Sequence, residues 1–182
     1  IASGFNSKFA KSLGFKLSKN YIYGYQTKIS NLNLPEVNVF TGSTLPKGHF
    51  GWLVPTEKDE GLCGILGKSK LKNNGKSFLN EVQKKYNFEI KEKTKVWGIP
   101  VKPVNKNYSK RCLLVGDVAG QVKPTTGGGI YYAMRSSDIA SKVVIDCLEN
   151  KKFSAKQLSL YSKNWEQLFK NELRIGLFAR QF

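Results

Sequence analysis

The chain has 182 residues, of which 40% are hydrophobic and 6 are proline, and it carries a formal net charge of +17. This composition argues against a disordered chain and allows one or two domains, and no apolar run approaches the roughly 18 residues of a membrane-spanning helix. Only 4 of the 30 basic residues are arginine, and the lysines are dispersed among asparagines, so nucleic-acid binding is not predicted. Because each lysine near an anionic bilayer adds about 1 kcal/mol, the charge favours peripheral contact with a membrane surface.

Residues 1–15 predict a strand end, a glycine turn and a short helix that carries Phe9 and Leu13 four residues apart and ends at Gly14. Residues 1–4 contain neither an initiator methionine nor the pattern of a signal peptide. We therefore expect a fragment that begins inside a longer protein.

The middle of the chain predicts an antiparallel sheet domain from about residue 18 to 105. The predicted strands cover 19–29, 37–41, 51–56, 61–67 and 95–99, with a hairpin turn at 58–61 and an amphipathic helix over 77–86. Phe50, Trp52 and Val54 alternate along one strand and so share a face. A row of large apolar groups suits a long hydrocarbon, although alternation by itself favours a place in the core.

The most informative segment is 113–130, where an apolar run ends at Gly116-Asp117 and a short loop leads to three glycines. Residues 111–116 predict a buried strand of a second, parallel sheet, and 127–148 predict a long helix. A helix N-terminus exposes N–H groups with partial positive charge, and glycine lets a flat ligand approach the backbone closely. A carboxylate at Asp117 is well placed to accept hydrogen bonds from a sugar-like hydroxyl chain.

The last third of the chain predicts two packed helices. The inner face of the first is expected to hold Ile130, Met134, Ser137, Ala140, Val144 and Cys147. Ser154 to Gln157 fits a capping box, and the helix that follows carries an apolar stripe of Leu158, Tyr161, Trp165 and Leu168 that we expect in the core.

The run from Val115 to Ile130 resembles the second flavin-binding motif of the geranylgeranyl reductase family, in the para-hydroxybenzoate-hydroxylase-like group of FAD enzymes. Gly116-Asp117 followed by Pro124-Thr-Thr-Gly-Gly-Gly-Ile130 carries the resemblance. The resemblance implies that Asp117 contacts the ribityl part of FAD and that the backbone of 126–129 lies near the flavin ring. The implied cofactor-binding residues are Gly116, Asp117, Gly120, Pro124, Thr126, Gly127, Gly128, Gly129 and Ile130.

Other segments are similar to the same family. The stretch 46–55 looks like its Tyr-x-Trp-x-Phe-Pro substrate motif, which implies that Phe50, Trp52, Val54 and Pro55 bind substrate, with Phe50 and Val54 departing from the motif. Ala2-Ser3-Gly4 resembles the family's Ala-Asp-Gly, with Ser3 in place of the aspartate. Tyr161-x-x-x-Trp165, followed by Glu172-Leu173 and Gly176, is similar to its closing helices, whereas the family's Gly-x-Gly-x-x-Gly loop is absent.

The resemblance implies an α/β (α+β) fold, part of a GR2-type, Rossmann-like FAD/NAD(P)-binding fold with an inserted antiparallel sheet. We expect the end of an FAD-binding segment over 1–17, a substrate domain over 18–105, an FAD-binding segment over 106–150 and a C-terminal helical region over 151–182.

The implied activity is that of an FAD-dependent oxidoreductase acting on CH–CH groups, which saturates geranylgeranyl double bonds of an isoprenoid lipid. NAD(P)H or a ferredoxin-type protein would supply the electrons, in a cytoplasmic protein that could lie peripherally on a membrane. No catalytic side chain is assigned. Two alternatives remain open: a flavin-dependent monooxygenase or halogenase on the same scaffold, and a non-catalytic lipid-binding module.

No metal site is predicted. The only histidine, His49, has no second histidine or nearby cysteine as a co-ligand, and Cys63, Cys112 and Cys147 lie far apart without a CxxC spacing. A disulfide between two of the three cysteines stays open from the sequence.

Overall fold

The computed structural model describes residues 1–42, 45, 48–68 and 71–180, and it contains both helices and strands. They separate into two units. We call Ile22–Gly98 the sheet unit, and Ile1–Tyr21 together with Ile99–Phe182 the helical unit. The mixture of helix and strand confirms the predicted α/β class.

The sheet unit is built on antiparallel strands whose spatial order is β2-β3-β4-β1-β5, with β6 also paired to β1. The strands are β1 (Tyr21–Ser30), β2 (Asn38–Phe40), β3 (Phe50–Glu57), β4 (Glu60–Gly67), β5 (Glu89–Ile90) and β6 (Lys95–Pro100). The predicted hairpin joins β3 to β4, and Asp59 adopts a positive φ of 62° in its turn. The predicted strands are therefore confirmed to within a few residues.

Helix α2 (Leu71–Tyr86) covers one face of this sheet. Its Phe78 and Val82 pack in one buried cluster with Leu53 of β3 and Ile65 of β4. The helix begins six residues before the predicted 77–86, since Leu71 and Gly75 also face the sheet and extend its buried side. Side chains alternate between the two faces of β3, and Leu53 faces α2. The row of Phe50, Trp52 and Val54 therefore lies on the face opposite α2.

The helical unit contains four short elements before its two long helices. They are α1 (Lys8–Ser12), β7 (Tyr108–Ser109), β8 (Cys112–Leu113) and a 3₁₀ turn (Gly116–Ala119), followed by α3 (Ile130–Glu149) and α4 (Ala155–Ala179). The Ser154 side chain accepts a hydrogen bond from the Gln157 amide at the start of α4, which confirms the predicted cap.

The prediction of a parallel strand over 111–116 is wrong both in the length of the strand and in the direction of its pairing. Only Cys112 and Leu113 form a strand, and they pair antiparallel with β7. Beyond that ladder, the Ile1 amine donates to the Leu113 carbonyl at 2.7 Å and the Val115 amide donates to the Ile1 carbonyl at 3.0 Å, a parallel arrangement confined to one residue.

The predicted inner face of α3 is only partly right. The residues that α3 buries are Tyr132, Ser136, Ala140, Val143 and Cys147, whereas Ile130, Met134, Ser137 and Val144 are exposed. The buried face of α3 differs from the predicted face because α4 offers polar partners. The Tyr132 hydroxyl donates a hydrogen bond to the Glu172 carboxylate, and the Trp165 indole donates to the Ser136 hydroxyl at 2.9 Å. In α4, Leu158, Tyr161 and Trp165 are buried as predicted, but Phe169 rather than Leu168 completes the stripe.

Three questions raised by the sequence, on a disulfide, a metal site and a membrane-spanning helix, can be compared with the described part of the chain. All three cysteines are free thiols there. Among the described residues, no histidine, cysteine or carboxylate cluster is arranged to hold a metal ion. Within the same residues, no helix has the length and apolar character needed to cross a bilayer.

Candidate functional site

The Gly116-Asp117 turn in the helical unit is held by a buried polar chain. The Gly116 amide, at a φ of 78°, donates to Gln121 Oε1 at 2.7 Å, and Gln121 Nε2 donates to the Tyr161 hydroxyl at 2.8 Å. That hydroxyl in turn donates to the Leu114 carbonyl at 3.0 Å. Burial raises the pKa of Tyr161 to about 12, so the hydroxyl remains a donor at neutral pH.

Asp117 projects from this turn toward the start of α3. A Cβ placed on Gly129 would lie 2.9 Å from Asp117 Oδ1, so the carboxylate rests against that glycine backbone. Burial raises the pKa of Asp117, and its carboxylate accepts no hydrogen bond from the residues that the structure describes. A half-buried acceptor without a protein partner is available to the hydroxyl groups of a ligand.

The three glycines form a turn that precedes α3. The helix begins at Ile130 rather than at the predicted Gly127, and no side chain caps it. The left-handed backbone lies at Gly127, with a φ of 74°. A Cβ on Gly128 would meet only the Thr126 hydroxyl, at 3.5 Å, so the space beside Gly128 is open.

The loop between Asp117 and the glycine turn is fixed at two further points. Gly120 has a φ of 68°, and a Cβ there would collide with the Lys102 carbonyl. Arg180, at the end of α4, donates to the carbonyls of Pro124 and Thr125 at 2.8 and 3.1 Å. These hydrogen bonds from the end of α4 therefore hold the loop in place.

Sequence reasoning missed Gln121 and Arg180, and it assigned Tyr161 only to the core. Gln121 carries a weak signal, because it is a lone amide in the otherwise apolar run Val118-Ala119-Gly120-Gln121-Val122. Arg180 carries none, since its partners lie more than fifty positions away in the sequence.

The predicted substrate residues belong to the sheet unit. Phe50, Trp52 and Val54 are half-buried on the face opposite α2, with the rings of Phe50 and Trp52 5.8 Å apart. Pro55 falls on the other face by alternation. Pro46 and Lys47, at the start of the same predicted motif, lie outside the described residues.

Two glycines lie beneath the tryptophan side chains on this face of the sheet, which we call the glycine-floored face. The Trp52 indole lies over Gly64 and donates to Gln26 Oε1 at 3.0 Å, and the Trp97 indole lies over Gly24. Because a Cβ on either glycine would collide with an indole, only glycine leaves room for the two rings at these positions. Trp97 was also missed, because its place beside Trp52 depends on strand pairing.

At the predicted Ala-Ser-Gly segment, Gly4 adopts a φ of 69°. The Ser3 hydroxyl donates to the Ser7 hydroxyl at 2.7 Å, and Ser7 caps α1. Ser3 thus supports the local turn.

No protein-family model matches the chain. It is 30% identical over 179 residues to the digeranylgeranylglycerophospholipid reductase of Methanocaldococcus jannaschii, covering 91% of this chain and 45% of that protein. It is 28% identical over 189 residues to an uncharacterised protein of the same organism, covering 99% and 48%. The chain spans about half the length of the curated relatives it matches.

Two solved structures define the fold. A geranylgeranyl bacteriochlorophyll reductase-like protein from Thermoplasma acidophilum superposes with a TM-score of 0.87 at 23% identity, over 99% of this chain and 48% of that chain. The flavin-dependent halogenase CmlS superposes with a TM-score of 0.66 at 12% identity, over 94% and 34%.

Proposed function

We propose that the intact protein is an FAD-dependent reductase that saturates isoprenoid double bonds of a lipid, from the premise that this chain belongs to the geranylgeranyl reductase family. The whole protein would be cytoplasmic and would meet its lipid at a membrane surface. Electrons would come from NAD(P)H or a ferredoxin-type protein.

The observation that carries the proposal is the half-buried Asp117 carboxylate, which accepts no hydrogen bond from the described residues and lies near the open space at Gly128. A carboxylate in this position can accept hydrogen bonds from the ribityl hydroxyls of FAD. The backbone of 126–129 leaves room for a flat ring, and the first-turn amides of α3 favour negative charge on it. When bound, FAD would supply the hydride chemistry, and these residues would bind and orient it.

The same proposal assigns the lipid to the sheet unit. The glycine-floored face with Phe50, Trp52, Val54 and Trp97 offers a flat apolar surface on the side away from α2. Burial of each CH₂ of a prenyl chain against such a surface stabilises the complex by about 0.8 kcal/mol.

The test is the flavin content of the purified intact protein together with the oxygen dependence of its reaction. We expect a yellow protein that retains FAD through gel filtration and reduces a geranylgeranyl lipid anaerobically. A colourless protein that still binds the lipid would support a lipid-binding module instead. Products that form only with oxygen would support a monooxygenase or halogenase.

Replacing Gly128 by valine should remove most bound flavin while leaving the fold intact. The new side chain has space in the FAD-free protein but would occupy the approach of the ring. Flavin absorbance per protein and the thermal unfolding midpoint measure the two effects. Thr125→Val is the matched control, because it places the same side chain on an exposed neighbour. Full flavin content in Gly128→Val would place the ring elsewhere.

Replacing Trp52 by alanine should lower turnover of a geranylgeranyl lipid roughly tenfold or more, at unchanged flavin content. Leu53→Ala is the matched control, because Leu53 neighbours Trp52 on the opposite, buried face of β3. That change should destabilise the fold by about 2–5 kcal/mol. If Trp52→Ala unfolds the protein as Leu53→Ala does, Trp52 is structural.

A further inference from the structure

Helix α1 presents apolar side chains outward. It buries Ala10 in a cluster with Leu114 and Val118, yet Phe9 and Leu13 are 60% and 49% exposed. The sequence pattern predicted these two as one apolar face, and the structure leaves that face uncovered within the helical unit. Side chains four residues apart on a helix lie side by side, so Phe9 and Leu13 form a continuous apolar ridge.

Another exposed aromatic side chain precedes α1. Phe5 is 37% exposed, and its ring contacts Tyr21 edge-on at 5.1 Å. The helix beneath is held in place, because buried Ser7 caps it and Gly14 ends it with a φ of 82°. The ridge is therefore a fixed feature rather than a frayed end.

Lysines line a cavity at the end of the ridge. Segments 1–20 and 99–116 contain eight basic residues and no aspartate or glutamate. A cavity of about 570 Å³ is lined by Leu13 at the end of the ridge and by Lys16, Lys19, Lys102 and Lys106. Within the described ranges, none of these four lysines forms an ion pair with a carboxylate.

We propose that this α1 patch, defined as Phe5, Phe9 and Leu13 with Lys8, Lys11, Lys16, Lys19, Lys102 and Lys106, docks the intact protein on an anionic phospholipid surface. An interfacial site requires an apolar ridge that enters the headgroup boundary and lysines that reach lipid phosphates. Charge alone would also suit a nucleic acid or an acidic protein, but charge does not account for the outward apolar side chains of Phe9 and Leu13 beside the buried Ala10. The inference rests on the proposed lipid function, and it names the surface that would bring the protein to its lipid.

Vesicle flotation of the intact protein tests the apolar ridge. We expect the protein to float with vesicles of phosphatidylcholine and phosphatidylglycerol and hardly at all with phosphatidylcholine alone. Phe9→Ser with Leu13→Ser should reduce the bound fraction at least tenfold, while Ile175→Ser, an equally exposed apolar position on α4, should change nothing. Equal binding of all three proteins would overturn the proposal.

The same assay tests the lysines. Lys16→Gln with Lys19→Gln should weaken binding by roughly fivefold per lysine and reduce its sensitivity to NaCl. Lys72→Gln with Lys76→Gln on α2 removes the same charge elsewhere and should have no such effect. If both pairs act alike, attraction is due to net charge and the patch is not a site. Loss of self-association in the ridge variants, with vesicle binding kept, would assign the patch to a protein contact.

Turnover separates this inference from the proposed function. Both patch variants should keep normal activity on lipid dispersed in detergent, because neither changes the candidate cofactor or substrate residues. A protein that binds anionic vesicles through the patch but never reduces a lipid would contradict the proposed function and support the docking surface. A protein that reduces the lipid but binds vesicles equally well without the patch would support the proposed function and contradict the docking surface.

Discussion

Asp117→Asn in the intact protein is expected to weaken FAD binding by roughly 10- to 150-fold while stabilising the FAD-free protein at neutral pH. The loss of affinity follows because a hydrogen bond to a charged acceptor contributes about 1.5–3 kcal/mol. The gain in stability follows because the carboxylate is half-buried and accepts no hydrogen bond from the described residues. The substitution keeps the shape of the side chain, so the two effects report its charge.

The stability gain should depend on pH in a defined direction. Burial raises the pKa of Asp117 above its ordinary value of 3.8, so the folded protein holds this proton more tightly than the unfolded chain does. The cost of the charged carboxylate therefore begins near the ordinary pKa, grows as the pH rises and is complete above the raised pKa. The unfolding midpoint of FAD-free Asp117→Asn should exceed that of the parent protein at pH 7, and the difference should shrink toward pH 4.

Two results would contradict this account of Asp117. Unchanged FAD affinity would remove the carboxylate from the cofactor site. A lower midpoint for the FAD-free variant at pH 7 would mean that Asp117 has a stabilising partner in the folded protein. Asp138→Asn is the control, because Asp138 is an exposed aspartate on α3 and should alter neither quantity.

Gln121→Leu is expected to destabilise the protein by about 1–3 kcal/mol and to lower FAD affinity as a consequence. The change leaves the buried Gly116 amide without its acceptor, and an unpaired buried group costs about 1–3 kcal/mol, whereas the Tyr161 hydroxyl keeps its bond to the Leu114 carbonyl. Because Gly116 is bonded directly to Asp117, loss of its anchor should also displace the carboxylate. Urea unfolding and FAD titration measure the two effects.

A double-mutant cycle distinguishes the polar chain from ordinary packing. Tyr161→Phe removes the hydroxyl that joins Gln121 to the Leu114 carbonyl. The two substitutions should be coupled by about 0.5–3 kcal/mol, since both break the same chain. Tyr131→Phe, at an exposed tyrosine of α3, should have no effect. Additive losses for Gln121→Leu and Tyr161→Phe would show that the chain does not act as a unit.

The sequence predicted a turn or a helix start correctly where a few neighbouring residues are enough to specify it. The β3–β4 hairpin followed from its turn residues, and the Ser154 cap followed from side-chain chemistry at a helix start. The Gly116-Asp117 turn was located correctly, with left-handed backbone at Gly116, whereas the three glycines form a turn before α3 and not its first turn. These features depend on a few neighbouring residues, which the sequence displays directly.

Features that depend on distant partners were not predictable in the same way. The burial of Ser136 and Tyr132 on α3 depends on hydrogen bonds to α4, so hydrophobic periodicity identified only part of the buried face. Gln121 became part of the site only through Tyr161, forty residues away. In the sheet unit, alternation grouped Phe50 with Trp52, but only the packing of α2 decides which face is core.

The most direct test of the central claim is product analysis of the intact protein with a geranylgeranyl lipid, under argon, with dithionite as the reductant. We expect FAD-loaded protein and products whose mass rises by one H₂ for each double bond reduced, with activity that falls in Asp117→Asn. An unreduced lipid in the presence of FAD-loaded, reduced protein would contradict it.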